Sequence, residues 1–250
     1  MDEHIVSVRV GRLLPGAQEV GEGVNLPVRG IAATADGEIA VIAKKLCGRE
    51  IAVEVICAAL GRAAGIPIPE PLLLLDPNDC WHFGSADIGH PNLSKFVSHQ
   101  DSSVLDELER WPDLLAAACF DELIANPDRH DGNILYNGNG FLLIDHGLCL
   151  PHGMQPDDRS EDYHTNRFLE TIINVCRDEV AQQRAVNSSR EWVQSKSIPA
   201  TSSAEKSVTE QLNPEARDQL ISFLKSRVSI LGDLLHEKIK PSQGSLKLDD

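Results

Sequence analysis

No apolar run in this 250-residue chain approaches the ~18–20 residues that a membrane-spanning helix requires, so a helical membrane protein is not expected. Residues 1–10 (MDEHIVSVRV) open on acids, which is not how a secretory leader begins. Basic residues are scarce. Lys and Arg number 23 against 38 Asp and Glu, a net charge of −15, so the chain is repelled by phosphate backbones and anionic lipid surfaces. Neither nucleic acid nor membrane is an expected partner. The six cysteines, at 47, 57, 80, 119, 149 and 176, never fall closer than ten residues apart, and none forms a CxxC pair. Reduced, buried cysteines in a cytoplasmic protein are the expectation. The histidines make neither HxxxH nor HExxH, which argues against a zinc site. There is no internal repeat, and no convincing glycine-rich loop beyond Gly21-Glu22-Gly23.

Ordinary globular material remains, 42% hydrophobic and 24% charged, enough for one large domain or two small lobes sharing a cleft. The first eighty residues read mostly as strands: Ile5–Val10, 26–33, 38–44, 72–75 and 80–83, with Ala35-Asp36-Gly37 as a hairpin signal. Within them, apolar residues at 51, 55, 56, 59, 60 and 63 have helical spacing, closed by Gly65 and Pro67. Beyond Gly84 the pattern turns helical. One helix is predicted from Pro112 to Asn126, another over 162–177, and a long final one from Asn213-Pro214 to about Ile239. Two short strands, 133–136 and 141–145, interrupt them. Residues 182–211, rich in Ser, Gln and Glu, read as a flexible insert with one short helix around Trp192.

The informative stretch is Asn126-Pro127-Asp128-Arg129-His130-Asp131-Gly132-Asn133, followed by Leu142-Leu143-Ile144-Asp145-His146-Gly147. A polar loop at a helix C-terminus leads into a hairpin that returns Asp145 beside Asn133. An Asp, an Asn five residues on and a second Asp beyond a hairpin suit phosphoryl transfer from Mg·ATP. One carboxylate orients the acceptor hydroxyl, while an amide oxygen and another carboxylate hold Mg²⁺ against the phosphates.

At these residues the sequence resembles the protein-kinase-like superfamily, and most closely the HipA-like kinases. Asn-Pro-Asp-Arg-His-x-x-Asn at 126–133 is similar to a catalytic loop that those enzymes share with phosphoinositide kinases. Ile144-Asp145-His146-Gly147 is similar to their metal-binding segment, with His146 where eukaryotic protein kinases carry Phe. The resemblance implies that Asp128 is the catalytic base or orienting carboxylate, and that Asn133 and Asp145 are metal ligands. It also places His130 near the transferred phosphate and makes Arg129 an anchor for the loop. The fold it implies is α+β and bilobal. A small β-rich N-lobe with one helix would cover 1–83, a hinge 84–87, and a larger, mainly helical C-lobe 88–240, before a disordered tail at 241–250.

The upstream half fits that pattern. Val41-Ile42-Ala43-Lys44 ends a strand, as the phosphate-binding lysine of kinases does. Glu50 and Glu54 lie one helical turn apart as partners for Lys44, and Glu54 is preferred because Gly48 sits so close before Glu50. Gly21 and Gly23 stand where the phosphate loop is expected, and Phe83 to Ser85 where the adenine-binding connector is expected. The function expected is an ATP- and Mg²⁺-dependent kinase acting on Ser or Thr of a protein. A toxin or stress effector with a cognate antitoxin or regulator is the setting that the resemblance implies. Two other readings stay open: a nucleotide-binding pseudokinase, and a small-molecule phosphotransferase. Against the latter, antibiotic kinases carry His-Gly-Asp where this chain has Asn126-Pro127-Asp128.

Overall fold

The computed structural model describes residues 8–21, 26–97, 102–159, 165–207 and 211–240. The expected strand start at Ile5 and Val6, Gly23 and the expected tail at 241–250 lie outside them.

Six strands come first: β1 (Arg9–Leu13), β2 (Gln18–Glu19), β3 (Val28–Thr34), β4 (Gly37–Lys44), β5 (Pro71–Leu75) and β6 (Trp81–Ala86). Their order in the sheet is β1-β5-β6-β4-β3-β2, and β1 also pairs with β3, so five strands close into a ring with β2 outside it. The β1–β5 pairing is parallel and joins Arg9 to Leu72 and Arg12 to Leu75 in register. The β3–β4 hairpin turns at Ala35-Asp36, with Gly37 at φ +116°, a backbone setting that residues with a Cβ disfavour. Leu13, Ala32, Val41, Ala43, Leu72 and Leu74 fill the inside of the ring.

Helix α1 (Gly48–Ala63) packs on β5 and β6. Its apolar spacing predicts one buried stripe, yet every residue from Ile51 to Gly61 is buried. The cause is a second cover. Helices α7 (Ile198–Ser207) and α8 (Pro214–Ile239) lie across the face that would otherwise meet water.

After β6 come two short helices, α2 (Ser94–Val97) and α3 (Ser102–Glu109), then α4 (Leu114–Leu123). The last ends as Pro127 demands: Ala125 adopts φ +45°, and the Asn126 N–H reaches back to the Asp121 carbonyl at 3.0 Å. A two-stranded hairpin follows, β7 (Ile134–Tyr136) and β8 (Phe141–Leu143), pairing Ile134 with Leu143. Asn137 Oδ1 accepts the Asn139 and Gly140 N–H groups and so fixes the turn.

The helices α5 (Arg167–Val175) and α6 (Glu179–Trp192) run on through a π-helical turn at Val193–Ser197 into α7. Residues 182–207 are therefore helical, and the flexible insert expected there is corrected. Ala185, Val186, Ser189, Val193, Ala200 and Ala204 form the buried side of this stretch. Helix α8 starts as expected, with Asn213 Oδ1 accepting the Ala216 N–H at 3.0 Å and Pro214 in the first turn. One hydrophobic core joins α1, α4, α5 and α8 through Ile56, Leu60, Phe120, Phe168 and Leu224. No helix among the described residues is long and apolar enough to cross a membrane.

Candidate active site

Three local structures deliver the candidate residues to one place. Lys44 ends β4 opposite Phe83 of β6, Glu54 sits in the second turn of α1, and residues 126–133 and 144–147 flank the β7–β8 hairpin. Together with the sheet they line a cavity of about 580 Å³. Lys44, Glu54, Asp128, Asn133 and Asp145 occupy its polar end, and Ile42, Leu135 and Leu143 its apolar part.

The loop is held from beneath by Arg129. Its buried guanidinium grips Asp121 of α4 with two hydrogen bonds, Nε to Oδ2 at 2.9 Å and Nη2 to Oδ1 at 3.0 Å. Its Nη1 then donates to the carbonyls of Asn133 (2.9 Å) and Ile144 (2.8 Å). One side chain therefore ties the helix end, the start of β7 and the end of β8. Such a charge is tolerable in a core only because a carboxylate and carbonyls meet it on every side. Asn126 completes the frame: Nδ2 donates to Asp121, and Oδ1 accepts the Asp128 N–H at 2.9 Å.

On that frame Asp128 is half-exposed to the cavity. The Asn133 carboxamide nitrogen donates to the Asp128 carbonyl at 2.9 Å and to its Oδ2 at 3.3 Å. With the nitrogen committed, the amide oxygen is the atom left for a cation. The His130 ring is exposed. Its Nδ1 accepts the Gly132 N–H at 3.0 Å, so a neutral ring carries its proton on Nε2, which lies 3.7 Å from Asp128 Oδ2.

Asp145 takes φ +61°, a left-handed setting that Asp tolerates better than most residues, and its Oδ2 lies 2.8 Å from Lys44 Nζ. Lys44 Nζ is also 3.8 Å from Glu54 Oε1, so Glu54 is the glutamate brought to the lysine across the ten-residue spacing. The other Glu54 oxygen accepts a short hydrogen bond from the His146 N–H. A Cβ on Gly147 would stand a tight 3.3 Å from the Glu50 side chain and in ordinary contact, 3.5 Å, with Glu54 Oε2. Burial dominates the Glu54 carboxyl and pushes its pKa up to about 7, Asp145 adding to the rise while Lys44, the His146 N–H and Arg129 oppose it.

His146 packs as an aromatic residue of the core. It is buried, edge-on to Phe120 at 5.8 Å between ring centres. Burial, with the nearby Arg129 and Lys44 charges, lowers its pKa well below the usual value and keeps it neutral.

Other expected positions land differently. Phe83 and Ser85 line the cavity, but β6 continues through Ala86. Phe83 is paired on both sides, with Lys44 and Leu73, and Ser85 with Ile42 and Pro71. Both backbones are engaged in two ladders, and the span expected as a connector, 84–87, overlaps β6 at residues 84–86. The Asp87 N–H still bonds the Ala40 carbonyl, and the chain leaves the sheet over Ile88 to Pro91, of which Ile88 and Gly89 line the cavity. Gly21 is exposed at φ +74° just after β2, and the cavity lip at that hairpin is Val20 and Pro27.

Sequence reading missed Asp121, Arg29 and Asp87. Arg29 Nε lies 2.6 Å from Asp87 Oδ2 at the cavity edge. Asp121 had a readable signal, one of two adjacent acids (with Glu122) in the otherwise apolar run of α4; the strand-borne Arg29 had none.

The donor set suits a small hard cation. Asn133 Oδ1 and the half-exposed Asp145 carboxylate are both oxygen donors at the polar end of the cavity. Among the described residues no group of three or more His, Cys, Asp and Glu gathers into a site of its own. Magnesium bound through one or two side chains completes its shell with phosphate and water, which fits this pair.

No protein-family model matches the chain, and no curated protein matches it. A solved structure does: the proinflammatory kinase CtkA of Helicobacter pylori, with a TM-score of 0.55 and 13% sequence identity over 94% of this chain and 98% of that one. At that identity the likeness is one of fold. This chain has a mixed α+β fold similar to that of a kinase.

Proposed function

We propose that this chain is an ATP- and Mg²⁺-dependent kinase of the HipA-like type, transferring phosphoryl to Ser or Thr of a protein. The observation that carries this reading is the convergence of Lys44, Asp128, Asn133 and Asp145 on one cleft, with Glu54 behind the lysine. In the same reading the sheet with α1 is an N-lobe, Ile88–Pro91 is the connector, and the helices beyond form a C-lobe.

The roles follow from placement. Lys44, held between two carboxylates, offers its ammonium to the phosphates. Glu54 keeps that amine in position from a fully buried site. Asp128 orients the acceptor hydroxyl and takes its proton. Its carboxylate is aimed by the Asn133 amide and by the Asn126-bonded backbone. Asn133 and Asp145 would hold Mg²⁺, which when bound with ATP neutralises charge on the transferred group. His130 presents Nε2–H beside Asp128, within reach of the incoming phosphate. Positioning and charge neutralisation do most of the work, with little covalent chemistry for the protein.

Transfer of labelled γ-phosphate by wild type and Asp128→Asn, measured side by side, tests the reading. The variant should fold and bind nucleotide, yet transfer about 10²–10⁴-fold more slowly, the range of a lost general base. Wild type that is stabilised by ATP but transfers to no acceptor would be a pseudokinase instead.

A further inference from the structure

Away from the Lys44 end of the cavity, one ion pair crosses the sheet. Arg29, Ile42 and Ser85 form a row across β3, β4 and β6, in register from strand to strand, and all three line the cavity. Asp87, two residues beyond Ser85, returns to the same face and lines it too. Its backbone N–H bonds the Ala40 carbonyl at 2.9 Å, and its Oδ2 lies 2.6 Å from Arg29 Nε. The pair therefore reaches over β4, from β3 to the start of the connector. Ala40 precedes Lys44 by four residues on β4, roughly 13 Å at the rise of a strand. A nucleotide whose phosphates meet Lys44 thus has the apolar strip at Ile42 along which to lay its heterocycle toward the connector.

The connector is secured by backbone at each end and by Asp87 between them. At the sheet end the bond is that of the Asp87 N–H to Ala40. At the other end the Leu93 N–H donates to the Ile134 carbonyl at 2.8 Å, and the Pro91 carbonyl accepts the Tyr136 N–H at 3.0 Å. Between these bonds the chain turns through Gly89 at φ +69°. Asp87 holds that turn with its side chain: Oδ1 accepts the Gly89 N–H at 3.0 Å while Oδ2 faces Arg29. Both oxygens of one carboxylate are engaged, one by the turn and the other by the sheet. With its side chain 60% exposed, Arg29 adds little to global stability through such a pair. What the pair does is local, and the locality is the cavity.

We infer that Arg29 and Asp87 are positioning residues for the heterocycle of the nucleotide. By bracing the Gly89 turn against β3, the pair fixes the width of the apolar part of the cavity before a ligand arrives, which spares an ordering cost on binding. The phosphate end is left to Lys44. The inference rests on the kinase reading, and within it on nucleotide binding alone.

The test is calorimetric titration of Mg·ATP, adenosine and Mg·tripolyphosphate into wild type, Arg29→Gln, Asp87→Asn and the double variant. Competition against Mg·ATP gives the constant where a fragment binds too weakly for a direct isotherm. The asparagine keeps an oxygen for the Gly89 N–H but gives up the charge that faces Arg29; the glutamine keeps much of the Arg29 chain without its charge. The expected result is a Kd for Mg·ATP and for adenosine raised about three- to fivefold in each single variant, with tripolyphosphate within about twofold. The double variant should bind no more weakly than the weaker single one, as for two halves of one interaction. In a transfer assay the same change should appear as a raised KM for ATP, with kcat moving less. Unchanged or tighter ATP binding overturns the inference. So does a loss shared equally by ATP and tripolyphosphate, which is what general damage to the sheet would give. Should Asp87→Asn fail to fold, Arg29→Gln, altered at an exposed side chain, carries the comparison. Wild type that binds Mg·ATP with these dependences yet transfers to no acceptor overturns the kinase reading and leaves the inference standing. Wild type that does not bind Mg·ATP overturns both.

Discussion

Glu54 illustrates how one residue's neighbours set its chemistry. A glutamate on a helix is ordinarily solvated; here it is buried, faces Lys44 at 3.8 Å and is held near a pKa of about 7. The sign of the consequence is fixed. A carboxyl whose folded pKa is raised contributes most below its ordinary value of 4.5, and that contribution is lost as pH rises through about 7. In metal-free protein, wild type should therefore lose stability relative to Glu54→Gln between pH 5 and pH 8. The loss should be of the order of 3 kcal/mol, from the span between the two pKa values. Denaturant midpoints of both proteins across that range check it, and parallel curves would show that Glu54 does not titrate there. At this scale the loop was legible, because Asp128, Asn133 and Asp145 stand at a spacing that chemistry restricts. Arg129 as an anchor came only from resemblance, and its partner Asp121 is recognisable as such only once the helix end folds back over it.

Among the elements, α1 decides whether the glutamate is buried at all. Its sequence shows one apolar stripe, and what seals the other side is α7, some 140 residues further along, a pairing that no local pattern encodes. The same element was misread for an instructive reason. Residues 182–207 are poor in large apolar groups, yet Ser189, Ser197 and Thr201 are buried. Their hydroxyls are spent on carbonyls of the preceding turn, Val186, Val193 and Ser197, so that they pack as small apolar residues would. Composition alone cannot distinguish such a helix from a solvated linker. The α1–α4 contact gives a direct prediction. A Cβ on Gly61 would lie 2.3 Å from Ile68 Cδ1 and 2.9 Å from Phe120 Cζ. Gly61→Ala should thus destabilise by about 1–3 kcal/mol, against the usual helix preference for alanine. Chemical denaturation gives the number, and a gain in stability would mean that these two helices are not packed as described.

Over the whole molecule, the cleft exists because a sheet closed on itself meets a helical body across α1 and the β7–β8 hairpin. Strand order within the sheet was not legible, since β1 pairs with β5 and β3 from across the chain and neither register leaves a local mark. What the pattern did carry was the alternation of strands, one helix and more strands, and then the polar loop; these suffice to say which residues to bring together, but not how. The cleft's central property is that an ammonium, three carboxylates and a carboxamide line one cavity, with Lys44 Nζ 2.8 Å from Asp145 Oδ2. The most direct measurement is calorimetric titration of ATP into wild type and Asp145→Asn, each with and without Mg²⁺. Wild type should bind at least about tenfold more tightly with Mg²⁺, a difference of 1.4 kcal/mol, and Asp145→Asn should lose that gain. ATP affinity indifferent to Mg²⁺ in wild type, or a magnesium gain that survives in Asp145→Asn, would contradict it.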